Sequence, residues 1–469
     1  MTKHSIPLVP SFVLLGCVIG GALVVNTPGM ATILLASLFG ILALQMPSAT
    51  RSGLVLLGLK GPTRNHVILF AYLVLVGAAF LPILEGYNPL REGLTARRAY
   101  EFGLLVMATG VAAVYALSRG LPRLDFPKSE IYILLAFALL GLASASWSPA
   151  PLLTLGKASQ LLLIVLGVTS LVPLFRKNSR LLGDLPYLVG LSSLTLVGTF
   201  LLLNYSIWGI PLASVVTSQG ATRLVLGYAH PLMVGNLASL GVVSLMISNR
   251  RLGPRLILMM PLLWMVWLTS SRGPAVGLVA AGVVLTLFHL RSARRTRLQF
   301  VLAGVFSIWL LIAVRDFIPV DATAGLIKQL RLESVAGLSG RLDLWRFALE
   351  QVQERPLLGI GYETGRYVLL RYAAFAGVAH NSFIEVLIGT GFLGFTLLVV
   401  FSVELWRTIR WTRDPFLAGL ATYAYVYGLT NPIVFVPGIG MTLLTLAIIR
   451  AVLLKRAHSP PFERLAWGT

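Results

Sequence analysis

Residues 383–403 read FIEVLIGTGFLGFTLLVVFSV, 21 residues whose single charged member, Glu385, stands near the start. A helix rises about 1.5 Å per residue, so this stretch reaches roughly 30 Å, the depth of a bilayer's hydrocarbon core. No water is available there to satisfy backbone N–H and C=O groups, and a helix satisfies them internally. The stretch is read as a transmembrane helix.

The same reading carried outward gives fourteen candidate spans, at 8–25, 29–46, 66–84, 101–118, 130–146, 156–175, 185–207, 228–248, 256–270, 274–290, 298–315, 383–403, 416–431 and 436–454. Twelve true spans result if two of these are re-entrant or interfacial. Composition agrees: 57% of the 469 residues are hydrophobic and 12% charged, where a soluble domain carries roughly a quarter charged residues. Disordered and disulfide-scaffold classes are excluded on the same grounds. Alternating ten-residue strands are absent, which excludes a transmembrane barrel. The lone cysteine, Cys17, can form neither an intrachain disulfide nor a cysteine metal site. With no small-residue cleavage site evident, the first span reads as retained rather than as a signal peptide. The expected fold class is an all-α polytopic membrane protein of 12–14 transmembrane helices.

Lys and Arg number 38 against 17 Asp and Glu, a formal charge of +21. In a membrane protein this excess reports topology first, because cytoplasmic loops collect Lys and Arg; no nucleic-acid partner is implied. With a cytoplasmic N-terminus, 24 of the 38 fall on the cytoplasmic side. Six (Arg91, Arg97, Arg98, Lys157, Arg223 and Arg272) fall on short outer loops, and eight in one long outer segment. Both termini are then cytoplasmic. The expected organisation is N-terminal transmembrane helices over 1–315, an outer, periplasmic loop with amphipathic helices over 316–382, and C-terminal transmembrane helices with a cytoplasmic tail over 383–469. In the loop, GRLDLWRFALEQVQER (340–355) predicts a helix with Leu342, Trp345, Leu349 and Val352 on its apolar face, ended by Pro356. Residues 366–379 predict a second helix at the membrane surface.

Of six histidines, only His230 and His380 face outward. Ser382-Phe-Ile-Glu385 has the form of a capping box, which makes Ser382 the expected N-cap of the twelfth span and puts His380 just outside it. A helix N-terminus favours anions and disfavours imidazolium. His380 is therefore expected to be neutral and able to take a proton beside an anion site. On the residue alone, an interfacial histidine beside a helix cap is the simpler reading. Arg223 (ATRLVLGYAHP), Arg272 (TSSRGP) and Arg341 are outer-face cations whose planar forks suit a lipid-linked pyrophosphate. The plain alternative for each is snorkelling to headgroups, and for Arg272 also capping of a tight hairpin. No span interior carries a clear acid or base, which counts against an ion-coupled transporter. No carboxylate cluster or HExxH spacing suggests a metal.

His380-Asn381, followed by nine residues and Gly391, resembles the His-[Asn/Ser/Gln]-x9-Gly motif of the O-antigen ligase family. Ser271-Arg272-Gly273 at the head of a span, Gly340-Arg341 with Trp345, and Pro356-Leu-Leu-Gly359-Ile-Gly361 resemble the same family, over roughly 210–400. The resemblance is to the O-antigen ligase/polymerase superfamily of bacterial inner-membrane glycosyltransferases, which implies a glycosyltransferase C-like fold. It implies transfer of a glycan from undecaprenyl pyrophosphate to a sugar hydroxyl of lipid A–core oligosaccharide, at the periplasmic face of the inner membrane and within the phospholipid bilayer. The transfer would be inverting and would need no cofactor and no metal. His380 would be the general base, Arg223 and Arg341 would bind the pyrophosphate, and Arg272, Asn381 and Ser382 would be supporting positions. An O-antigen polymerase or protein O-oligosaccharyltransferase of the same superfamily is the nearest alternative. A non-catalytic flippase or transporter of lipid-linked glycan is the alternative of another class.

Overall fold

The computed structural model describes residues 63–80, 96–118, 128–176, 178–208, 214–216, 222–224, 231–269, 271–290, 341–372 and 377–458. The expected spans at 8–25, 29–46 and 298–315 lie outside the described residues, as do Cys17, His230 and the outer segment as far as Gly340. Each of the other eleven expected spans coincides with a helix. They are α1 (Arg64–Ala79), α2 (Ala96–Ser118), α3 (Lys128–Ala143), α4 (Pro151–Ser170) continued by the short α5 (Val172–Arg176), α6 (Ser179–Trp208), α7 (Pro231–Ile247), α8 (Leu252–Leu268) and α9 (Arg272–Leu290). After the outer segment come α10 (Arg341–Glu354), α11 (Gly365–Tyr372), α12 (Ser382–Thr412), α13 (Pro415–Gly428) and α14 (Ile439–His458). Between α6 and α7, β1 (Ser214–Val216) and β2 (Thr222–Leu224) pair as an antiparallel ribbon with Val215 opposite Arg223.

Among the described residues, five stretches are long and apolar enough to cross a membrane: Glu101–Ser118, Ser129–Ser146, Pro151–Arg176, Ser179–Thr199 and Ser382–Thr412. Shorter apolar helices accompany them at Arg64–Ala79, Pro231–Ile247, Leu252–Leu268 and Arg272–Phe288. The chain is an all-α, multi-pass membrane protein. α1 is apolar on every face and buried from His66 to Ala79, as befits a helix enclosed by others. It packs on α2 and α6. α7 packs on α6, α8 and α9, α9 on α13, and α12 on α3 and α14. Close approach uses small residues: a Cβ on Gly277 would stand 3.0 Å from the Tyr423 ring.

Two polar clusters depart from the expectation of charge-free span interiors. Arg450, inside α14, is buried with Asp414, its ion-pair partner, and its Nε donates to Leu182 O at 2.7 Å. Asp184, in α6, accepts from Arg250 and lies 3.1 Å from His66 Nε2. A buried charge is costly unless paired, and the pairing was invisible because each partner lies far off in the chain. On α10 the buried stripe is Leu344, Ala348 and Val352, at i, i+4, i+8. Of the expected face only Val352 is fully buried, and Leu342 and Leu349 are exposed.

α12 is the element that positions the site, and it is broken. At Gly391 the backbone turns to φ 62°, ψ −162°. The break frees carbonyls on one side and N–H groups on the other, and the 356–361 loop takes up both sets. Ile360 and Gly361 donate to Ile388 O and Gly389 O, each at 2.9 Å. Phe392 and Leu393 donate to Pro356 O and Leu357 O at 2.7 and 3.2 Å. The loop runs so close that a Cβ on Gly391 would stand 2.5 Å from the Leu357 carbonyl. Gly359 and Gly361, at φ 66° and 121°, are the turns that let it do so.

Gly391→Ala therefore meets both a left-handed backbone and a backbone clash, and should cost about 2 kcal/mol or more. Gly183→Ala, in α6 with nothing within 4 Å of an added Cβ, should be neutral or slightly stabilising, by up to about 0.5 kcal/mol. Thermal unfolding in detergent checks the pair; equal midpoints would remove the stitched break as a stability determinant.

Candidate functional site

The N-terminal end of α12 is capped differently from the expected box. Asn381, not Ser382, is the N-cap: its Oδ1 accepts from Phe383 N at 2.9 Å and Ile384 N at 3.2 Å. These are two of the N–H groups that were expected to await an anion, so the helix end is already partly satisfied. Ser382 is fully buried and its hydroxyl turns away. Oγ accepts from Ile433 N and Val434 N at 2.9 and 3.2 Å and donates to Asn431 O at 3.3 Å. Glu385 does not return to the cap; its Oε2 accepts from Ala379 N at 2.8 Å.

These bonds bind the start of α12 to the turn after α13, residues 429–435. His380 sits between the two with φ 52°, a left-handed conformation for a non-glycine residue. Its Nδ1 lies 3.2 Å from Asn431 Oδ1. Asn431 Nδ2 donates to Tyr427 Oη at 2.6 Å, and its oxygen faces the imidazole. An amide oxygen only accepts, so Nδ1 carries the proton and Nε2 keeps its lone pair. Burial lowers the His380 pKa below the ordinary imidazole value of 6.5; the Asn431 hydrogen bond opposes this, and the nearby Arg341 charge reinforces it. The ring is neutral at neutral pH.

Arg341 reaches the same turn. It opens α10, and its Nη1 donates to Thr430 O at 3.3 Å, one residue from the His380 partner. Arg272 is exposed at the first position of α9. Its neighbour Gly273 packs on the turn, where a Cβ would stand 2.5 Å from Thr430 Oγ1. Asn381 also points there, Nδ2 donating to Leu429 O at 3.5 Å. His380, Arg341, Asn381, Ser382 and the Arg272 hairpin thus meet at one turn. Arg223 lies on β2, and its side chain is outside the described residues. Lys157, counted among the outer cations, is 3.5 Å from Glu101. Among the described residues no three His, Cys, Asp or Glu side chains stand close enough to hold a metal ion.

The turn itself was missed. Residues 416–431 read as one span, which placed Asn431 at its apolar end. The one available signal was Asn431-Pro432, a dipeptide that favours a turn. The chemistry of the assembled site is a neutral imidazole with an available Nε2, beside a guanidinium held at a helix start. It suits deprotonation of a hydroxyl next to a bound anion.

Comparison with known proteins bears on the same residues. Residues 257–399 match the family described as O-Antigen ligase, a range that includes Arg272, Arg341, His380 and Gly391 but not Asn431. An O-antigen ligase of Pseudomonas aeruginosa (strain PAO1) is 27% identical over 227 residues, 47% of this chain and 52% of that protein. The match therefore spans about half the length of that relative. A chain from a structure described as a peptidoglycan synthase complex coordinating polymerization and crosslinking is 16% identical, over 71% of this chain and 98% of that one, with a TM-score of 0.37.

Asn431→Asp would put a carboxylate on His380 Nδ1 and favour the imidazolium. The pH midpoint for modification of His380 by diethyl pyrocarbonate, read by peptide mass spectrometry, should move upward. An unmoved midpoint would mean that residue 431 does not face Nδ1.

Proposed function

We propose, from the match of residues 257–399 to the family described as O-Antigen ligase, that this chain transfers a glycan from undecaprenyl pyrophosphate to a sugar hydroxyl of lipid A–core oligosaccharide. The reaction takes place at the periplasmic face of the bacterial inner membrane, with both chain termini cytoplasmic. The observation that carries this reading is the shared turn: His380 on Asn431 and Arg341 on Thr430 hold a base and a phosphate-matching cation at adjacent residues.

In the proposed step the acceptor hydroxyl approaches His380 Nε2 and loses its proton there as its oxygen attacks the anomeric carbon. The bond from that carbon to the pyrophosphate oxygen breaks on the opposite side, so the configuration inverts. Undecaprenyl pyrophosphate leaves as an anion, and its growing charge meets the Arg341 guanidinium. Arg223 is the second pyrophosphate ligand, and Arg272, at the head of α9 beside the same turn, supports the pair. His380 then returns its proton to solvent. No metal or cofactor takes part in any step. The fork of Arg341 accounts for the choice of arginine, since it can hold the turn through one nitrogen and present others to phosphate oxygens.

The test is transfer by purified, reconstituted protein with undecaprenyl-pyrophosphate-linked glycan and lipid A–core, in EDTA and without nucleotide. Glycan on lipid A–core is expected. Longer glycan on the lipid carrier would indicate a polymerase instead, and no product from intact, accessible donor would favour a transporter. His380→Ala should lower the rate by about 10²-fold or more with the protein still folded. Arg341→Lys keeps the charge but loses the fork, and should cost roughly 10²-fold. Full activity in either would remove that residue from the step.

The pH dependence has a definite sign. His380 acts as the neutral form and its pKa in the free protein lies below 6.5, so kcat/KM for the donor, which reports the free protein, should hold up as pH falls to 6.5 and decline only beneath it. An acid limb of kcat/KM at or above 6.5 would exclude His380 as the titrating group.

A further inference from the structure

Both backbone groups of Ala379, the residue before His380, are gripped by side chains. Its N–H donates to Glu385 Oε2 at 2.8 Å, and its C=O accepts from Trp345 Nε1 at 2.8 Å. Ala379 and Glu385 are buried. The two grips come from different elements, Glu385 from the first turn of α12 and Trp345 from α10.

Three observations give this clamp a purpose beyond packing. First, His380 is left-handed at φ 52°. For a residue other than glycine that conformation costs about 1 kcal/mol or more and persists only where the surroundings enforce it. Second, Trp345 follows Arg341 by four residues, so the two share one face of α10. A bond from Trp345 to Ala379 fixes where the α10 face carrying Arg341 stands relative to the residue after Ala379, which is His380. Third, Glu385 is a buried carboxylate, expensive where an apolar side chain would pack. Its Oε1 is seated against Gly365, where a Cβ would come within 2.9 Å, and Glu363 and Arg366 are its charged neighbours. Its oxygen is spent on a backbone N–H.

We propose that Glu385 and Trp345 are positioning residues, clamping Ala379 so that His380 is held in its left-handed conformation and in register with Arg341. Neither touches the reacting atoms. The role rests on the transferase reading for its effect on rate, but the geometry can be tested without it.

Full-length protein in detergent is compared as wild type, Trp345→Phe, Glu385→Ala and Glu385→Gln. Modification of His380 by diethyl pyrocarbonate, resolved from the other histidines by mass spectrometry, reports the clamp directly. It should quicken about threefold or more in Trp345→Phe and Glu385→Ala. In the transfer assay both should lose about tenfold or more in kcat, with donor KM within about twofold, as displacement of a base does. Glu385→Gln keeps an oxygen that can accept from Ala379 and should stay near wild type in both measurements. Unchanged His380 reactivity in Trp345→Phe and Glu385→Ala would overturn the proposal. So would a Glu385→Gln variant as impaired as Glu385→Ala, since charge and not the hydrogen bond would then matter. If Glu385→Ala does not fold, Gly365→Ala, which pushes the carboxylate aside without removing it, takes its place. A wild type without transfer would sink the transferase reading, and the modification rates would still decide the clamp.

Discussion

Backbone hydrogen bonding inside a membrane is the constraint from which the arrangement of the site follows. A helix broken at membrane depth must find partners for the carbonyls and N–H groups it releases, because lipid supplies none. α12 breaks at Gly391, nine residues into the helix, and the 356–361 loop answers with four backbone bonds, two on each side of the break. This pins the loop after α10 to α12. With the loop fixed, α10 crosses the start of α12, Arg341 reaches the 429–435 turn and Trp345 reaches Ala379. The two glycine-bearing motifs, Pro356-Leu-Leu-Gly359-Ile-Gly361 and His380-x10-Gly391, are thus one structural device. Each supplies what the other's backbone lacks.

Much of this was legible in the chain. Apolar runs placed eleven helices, because in a bilayer length and hydropathy decide almost everything, although α12 runs on to Thr412, nine residues past the expected end, and α6 begins six residues early at Ser179. Arg341–Glu354 was legible from its periodicity and from Pro356. Its face was not: Leu342 and Leu349 carry the same apolar signal as Leu344 and Ala348, and only contact with α12 and α11 decides which side is buried. The capping box at Ser382 failed for a related reason. Ser382 and Asn381 can both cap, and in the fold Ser382 Oγ is instead taken up as the acceptor for Ile433 N and Val434 N. Asn431 was hidden by the apolar run it ends. The motif residues could be named from sequence, but the turn that gathers them could not, because its role consists of contacts to residues far off in the chain.

Charged groups inside the bundle are held by partners far off in the chain. Away from the site, acids and bases are matched: Asp184 with His66 and Arg250, and Asp414 with Arg450, tie α1, α6, α13 and α14 together. At the site end, Arg341 donates to the Thr430 carbonyl, Lys157 lies 3.5 Å from Glu101, and the buried acids Glu385 and Glu363 face the backbone and the loop. Glu385 takes Ala379 N–H, while Glu363, raised in pKa by burial, has Lys157 and Arg366 acting against that rise.

The charge of Arg341 also acts on His380. In the structure as it stands, Arg341 helps burial to hold the imidazole in its neutral form. A neutral ring is what a base needs, yet a lowered pKa makes a weaker base, so protection and strength pull in opposite directions. Under the proposed reaction the donor resolves the conflict. A pyrophosphate on Arg341 brings negative charge to the position from which the positive charge now depresses His380. The imidazole then becomes more basic at the moment an acceptor hydroxyl is to be deprotonated. The spacing set through Thr430 and Asn431 is close enough for this coupling to be felt, and the peptide between those two residues keeps the guanidinium and the imidazole from drifting apart.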